Sequence, residues 1–192
     1  MANALLLIQI NNTICSMLSI DKTLHIDMET DLVNPLLFNS FPPQVLFQEI
    51  PDEISLAFTI TGCPLQCRGC HSTDTWDPRT GCALSNSLYR DYLKRYGNMI
   101  SCVLFFGGEW HLNALQDKLL IARKMGLKTC LYTGLDCVPE RIHPHLNYLK
   151  TGPWRRALGG LESTTTNQRL IELSTGNLLN YRFQKDHQHA AA

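Results

Sequence analysis

Four short apolar runs, each closed by glycine, constrain this chain more than any other feature. They are "ISLAFTITG" (54–62), "ISCVLFFGG" (100–108), "LKTCLYTG" (127–134) and "LNYLKTG" (146–152). Runs of this length that are apolar at nearly every position suit strands buried on both faces, as in parallel sheets. Between the first and second runs, Leu88, Tyr92, Leu93 and Tyr96 recur at helical spacing. That segment starts at a Ser85 or Asn86 cap and closes at Gly97. Between the second and third, Leu115, Leu119, Ala122 and Met125 line one face of a helix expected over 113–125 and stopped by Gly126. A short helical turn is expected around 139–146. Alternating strand and helix predicts an α/β fold with a parallel sheet. A closed eight-unit barrel needs roughly 250 residues and at least about 200. Only about four units are visible in these 192 residues, so the expectation is an open, partial (β/α) barrel.

The chain is long enough for one full domain and too short for two comfortable ones. Domain boundaries are expected at an N-terminal extension (1–43), a main domain (44–183) and a flexible tail (184–192). Within the extension, "ALLLIQI" and the alternating "TLHIDME" read as β-rich, and "NPLLFNSFPPQ" (34–44) is the linker candidate. The first apolar run has no Lys or Arg before it. It is broken by Gln9, Asn11 and Asn12 well short of the ~17 residues a membrane span needs, so neither a signal nor an anchor is expected. "RLIEL" and "LLNYRF", separated by "STGN", read as a C-terminal hairpin. The 44% hydrophobic and 18% charged residues describe a globular protein. Zero formal net charge leaves no broad basic field, so no nucleic-acid partner is expected, and no membrane either. Eight cysteines without an export signal point to a reducing compartment, the cytoplasm, where clustered thiols bind metals or do redox chemistry.

Three cysteines carry the first motif. Cys63, Cys67 and Cys70 form C-x3-C-x2-C directly after the first apolar run. Thiolates so close together can wrap one soft metal centre, and both zinc and a four-iron cluster use such ligands. A zinc site would need completion by His71 or another cysteine. Zinc modules usually use two separated ligand pairs, and a histidine adjoining Cys70 is awkwardly placed for the same tetrahedral ion. The spacing therefore favours a cluster held by three thiolates. Cys15, Cys82, Cys102, Cys130 and Cys137 share no ligand spacing, and Cys102 and Cys130 read as small buried hydrophobes.

The second motif, "FFGGEW", puts Gly107, Gly108 and Glu109 at the same sheet edge as the cysteine loop. Glycines let the backbone approach a ligand, and a carboxylate there can accept a hydrogen bond from an ammonium group. Alone, Gly-Gly-Glu describes an ordinary strand-end turn with a solvated acid.

The two motifs together resemble the radical S-adenosylmethionine superfamily. "CPLQCRGCHSTDTW", "VLFFGGEW", "LKTCLYTGL", "YLKTG" and "LGGLESTTTNQRL", in this order, resemble the activating proteins of anaerobic ribonucleoside-triphosphate reductase over residues 45–173. The resemblance implies a partial barrel of the radical-SAM type. It implies a [4Fe-4S] cluster on Cys63, Cys67 and Cys70 whose fourth iron binds S-adenosyl-L-methionine. It further implies a flavodoxin-like electron donor, reductive cleavage of the sulfonium to methionine and a 5′-deoxyadenosyl radical, and a glycyl radical generated on the reductase. The radical derives from the cofactor, so no side chain of this chain is assigned a catalytic role. Gly107, Gly108 and Glu109 would hold the methionine end, with Gly69 and His71 beside the cofactor. Thr133 and Gly134 fall where ribose or carboxylate contacts would lie, and Lys150 could pair with the carboxylate. Gly69 departs from the pattern, because many superfamily members carry an aromatic there. Lys150, Arg155 and Arg156 form a basic group around Trp154, either a solvated face or a docking surface anchored by Trp154. Activation of another glycyl-radical enzyme and a non-catalytic zinc-binding module are the competing readings.

Overall fold

The structure, a computed structural model, describes residues 37–184. The β-rich reading of residues 1–36 and the tail from 185 onward lie outside the described residues.

Two sheets are formed. A small antiparallel pair joins β1 (Asn39–Ser40) to β4 (Cys82–Ala83). The main sheet has seven strands: β2 (Gln44–Leu46), β3 (Ser55–Thr59), β5 (Cys102–Phe106), β6 (Lys128–Tyr132), β7 (Tyr148–Thr151), β8 (Arg169–Glu172) and β9 (Asn177–Leu178). They stand in the order β2-β3-β5-β6-β7-β8-β9. The central four run parallel, while β2 pairs antiparallel at one edge and β8 and β9 antiparallel at the other. The architecture is mixed α/β with a large sheet.

Side-chain alternation explains why the central strands read as unbroken apolar runs. Leu56, Phe58, Val103, Phe105, Leu131 and Leu149 face the helices α1 (Asn86–Tyr96) and α2 (Leu112–Lys124). The intervening Ala57, Cys102, Leu104, Cys130 and Tyr148 face a second cluster with Ile50, Leu161 and Leu170. Both faces are covered, so each residue of a strand meets apolar neighbours. Phe58 lies at the centre of the helix side, stacked on Phe105 at 5.6 Å and edge-on to Tyr89 at 5.1 Å. Cys102 and Cys130 are fully buried, as small hydrophobes.

Helix boundaries follow their caps. Ser85 Oγ accepts from the Leu88 N–H at 3.1 Å and starts α1. Residues 140–145 form a 3-10 turn. The linker candidate differs from the expectation. Phe38 is only 2% exposed and packs in the helix-side core, while Asn39–Ser40 pair with β4. Phe38 lies within the LLF of that stretch, so burial of an aromatic overrides the linker signal of Pro42-Pro43.

Parallel strands share one carboxyl edge, and antiparallel β8 begins there, with Arg169 opposite Thr151. The cysteine loop, Gly107–Glu109, Thr133–Gly134, Gly152 and the "TTTNQR" stretch therefore meet at a single rim. The opposite rim is tied by Glu53, which accepts hydrogen bonds from Ser101 Oγ (2.5 Å), Tyr148 OH (2.9 Å) and Lys128 Nζ.

Candidate metal and cofactor site

The cysteine loop leaves β3 through a turn fixed by Thr75, whose carbonyl accepts from the N–H groups of Gly62 (2.7 Å) and Cys63 (3.1 Å). Each cysteine is preceded by a left-handed residue: Gly62 (φ 83°), Gln66 (φ 44°) and Gly69 (φ 75°). Left-handed steps turn the chain sharply just before each cysteine. Gln66 adopts this conformation without glycine's freedom, a strain of the kind retained at functional loops. The Cys70 N–H donates to Cys67 O at 3.0 Å, and Cys70 Sγ accepts from the Ser72 N–H at 3.4 Å. All three thiols are half-buried. Burial pushes the Cys63 thiol up, and the nearby Glu109 charge pushes it the same way. Among the described residues, no three His, Cys, Asp or Glu side chains already converge as a metal site.

Glu109 lies at the end of β5, 8% exposed, after two glycines with φ of 81° and 103°. Those angles are open to glycine, and the six-membered ring of Trp110 fills the space where a Cβ on Gly107 would sit, 2.5 Å away. Thr133 Oγ1, at the end of β6, donates to Glu109 Oε1 at 2.5 Å. Glu109 Oε2 is buried and has no hydrogen-bond partner. Burial raises its pKa, against the opposing hydrogen bond from Thr133. An ammonium group would supply both the missing donor and the missing countercharge. Glu109 is thus a buried acid in a turn, not the solvated acid that such a motif usually carries.

The remaining expected residues gather around the same loop. Gly134 leaves space filled by Leu65 of the cysteine loop, whose Cδ1 lies 2.6 Å from where a Cβ would be. Lys150, next to last in β7, is 9% exposed, with Nζ donating to Gly152 O at 3.2 Å. Burial lowers its pKa to about 8, and the neighbouring Cys67 opposes the shift. Lys150 is therefore not part of a solvated basic face, although Arg155 and Arg156 are exposed. His71 is exposed and packs against Trp154 at 4.5 Å between ring centroids. Trp154 is turned toward the cysteine loop, which changes its reading from a free docking anchor to part of the loop's wall.

Three further residues build the site without a sequence signal that assigns them a role: Leu65, Trp110 and Asn167. Trp110 adjoins Glu109 in "FFGGEW", a signal that was present but carried no assignment. Asn167 Nδ2 donates to Pro153 O at 2.9 Å and ties the "TTTNQR" stretch to the end of β7.

Residues 54–137 match the family model of a 4Fe-4S single cluster domain. That span contains the three cysteines, Gly107–Glu109, Thr133 and Gly134. The match fits an iron–sulfur protein and agrees with the donor set, three thiols on one short loop. No curated protein and no solved structure matches the chain. Among the described residues, no helix is long and apolar enough to cross a membrane.

Proposed function

We propose that this chain is a radical S-adenosylmethionine activase, in which Cys63, Cys67 and Cys70 hold three irons of a [4Fe-4S] cluster. The observation that carries the reading is Glu109 Oε2, a buried and unpartnered carboxylate oxygen at the rim it shares with the cysteine loop. Held by these three thiolates, a reduced cluster would supply the single electron for reductive cleavage of S-adenosyl-L-methionine to methionine and a 5′-deoxyadenosyl radical, the species that would abstract hydrogen from a glycine of the partner.

The chain's own residues bind and orient. Glu109 accepts from the cofactor's ammonium, and Thr133 fixes the carboxylate's rotation. Gly107 and Gly108 bring their backbone close to the methionine end. Lys150, a cation at the same rim, faces the cofactor carboxylate. Gly69 keeps the approach to Cys70 open, and Gly134 makes room for Leu65 so the loop can seat. The sheet is assigned to the partial-barrel architecture of the radical-SAM type.

The partner assigned to this activase is the glycyl-radical subunit of anaerobic ribonucleoside-triphosphate reductase, with a flavodoxin-like protein as electron donor, in the cytoplasm. The order of the motifs from "CPLQCRGC" through "TTTNQR" favours this partner over other glycyl-radical enzymes.

The test is anaerobic reconstitution of the full chain with iron and sulfide, reduction with dithionite and addition of S-adenosyl-L-methionine. 5′-Deoxyadenosine is the expected product. Its absence with an intact cluster overturns the activase. Binding of one zinc with no uptake of iron or sulfide would replace it with a zinc-binding module. A glycyl radical seen by electron paramagnetic resonance on addition of the reductase, and not of other glycyl-radical enzymes, identifies the partner.

A further inference from the structure

The chain has three tryptophans, Trp76, Trp110 and Trp154, and each buries its indole N–H without an acceptor among the described residues. An indole nitrogen can only donate, so a buried one without a partner calls for an acceptor brought in from elsewhere. Trp110 covers Gly107 and packs against the helix-side core, so apolar contacts account for its place. Trp76 and Trp154 lie in neither core cluster, and of the two Trp154 is the one whose ring packs on His71, next to Cys70.

Its neighbours are those of the third cysteine. The Trp154 ring packs against His71, centroids 4.5 Å apart and planes inclined at 52°. Trp154 Nε1 lies 3.9 Å from where a Cβ on Gly69 would sit, the one heavy atom within 4 Å there outside Gly69's immediate chain neighbours. Gly69 and His71 bracket Cys70 in the chain. The orphan donor is therefore held beside the two residues that bracket the third thiol in the chain. Cys70 Sγ already accepts one N–H, from Ser72 at 3.4 Å, so its sulfur takes hydrogen bonds in this setting.

We infer that Trp154 is a positioning residue whose indole N–H donates a hydrogen bond to a sulfur of the iron–sulfur centre at Cys70 and raises its reduction potential. The inference rests on the cluster reading above. Reduction adds negative charge that spreads onto the sulfurs, so a donor to sulfur stabilises the reduced state more than the oxidised one. His71, packed on one side of the ring, holds the indole in place, and glycine at 69 lets the nitrogen reach the loop.

The test uses the full chain, reconstituted anaerobically, with no S-adenosyl-L-methionine. Two replacements are compared: Trp154→Phe, and Trp154 exchanged for benzothienylalanine, which keeps the bicyclic shape and replaces N–H by sulfur. The midpoint potential is read by a dithionite titration followed by electron paramagnetic resonance. Losing the N–H is expected to lower the reduced-to-oxidised ratio at a fixed potential about tenfold, or about 59 mV for a one-electron couple. A pulsed-resonance coupling to an exchangeable proton should vanish with it. If Trp154→Phe takes up no iron, the isosteric replacement carries the measurement. A potential unchanged in that replacement overturns the inference and leaves the activase intact. A wild-type chain that takes up no iron overturns both.

Discussion

Thr133 and Glu109 lie just beyond the ends of the neighbouring strands β6 and β5, and the threonine hydroxyl holds one carboxylate oxygen at 2.5 Å while the other stays buried and unpartnered. The pair is a half-satisfied acid, poised for a cationic donor. Glu109→Gln keeps the shape and removes the charge. A charge-assisted hydrogen bond contributes roughly 1.5–3 kcal/mol, so S-adenosyl-L-methionine affinity is expected to fall at least about tenfold. Calorimetric titration of the reconstituted protein checks this. Burial holds the Glu109 pKa above its ordinary value, so in the wild type affinity should fall as pH drops through that raised pKa. Glu109→Gln should lose this pH dependence.

Gln66 takes a left-handed backbone immediately before Cys67, where Gly62 and Gly69 do the same before the other two cysteines. Left-handed conformation costs a non-glycine residue roughly 1–2 kcal/mol. Gln66→Gly should therefore keep or improve cluster uptake, and Gln66→Val, β-branched, should lower it. Iron and sulfide content after parallel reconstitution decides between them. Lower uptake by the glycine variant would mean that the Gln66 side chain itself matters.

Gly134 and Leu65 couple the end of β6 to the cysteine loop through space alone, since Leu65 Cδ1 occupies the position of a missing Cβ. A methyl group at 134 meets the far end of a flexible side chain, so Gly134→Ala is expected to cost at most about 1 kcal/mol, the low end of overpacking. Gly134→Val should displace the loop and reduce iron uptake. Adding Leu65→Ala should restore it. Failure of that rescue, with the folded state intact by circular dichroism, would show that Gly134 serves another contact.

Most of the frame was legible in the sequence because burial on both faces of a parallel sheet leaves unbroken apolar runs, as in Cys102–Phe106. Glycines at the strand ends then marked the rim where the candidate site residues gather. Phe38 sits in a proline-containing stretch that reads as a linker, because its burial depends on partners such as Phe105, far along the chain. Lys150 and Trp154 were grouped with Arg155 and Arg156 by proximity in sequence. Their separation into a buried lysine, a loop-facing indole and two exposed arginines depends on how the chain turns after β7. The turn at Gly62, Gln66 and Gly69 was half visible, since a left-handed glutamine has no sequence signature.

Cys67 and Cys102 provide a contrast within one residue type. Cys67 sits half-buried in the loop, whereas Cys102 is fully buried in β5, its thiol pushed well up by burial. Cys67→Ala should abolish the iron–sulfur absorption and 5′-deoxyadenosine formation. Cys102→Ala should keep both, with a loss of about 1 kcal/mol in stability from one small buried group. Cluster loss in Cys102→Ala at full thermal stability would contradict the assignment of ligands.

Glu53 anchors the opposite rim and should give the fold its acid sensitivity. Burial alone would raise its pKa, but hydrogen bonds from Lys128, Ser101 and Tyr148, with the Lys128 charge, hold it below the ordinary 4.5. A depressed carboxylate pKa stabilises the folded state fully above about the unfolded value, and that contribution is lost as pH falls through the folded one. Glu53→Gln should therefore destabilise by about 1–3 kcal/mol at neutral pH, the cost of leaving its hydrogen-bonding partners poorly satisfied. Lys128 is half-exposed and can turn to water, which keeps the loss below that of a fully buried pair. Urea unfolding from pH 7 down to below the folded pKa should show the wild type and Glu53→Gln converging as Glu53 protonates. Parallel curves across that window would mean that Lys128 and Tyr148 hold the rim without the carboxylate's charge.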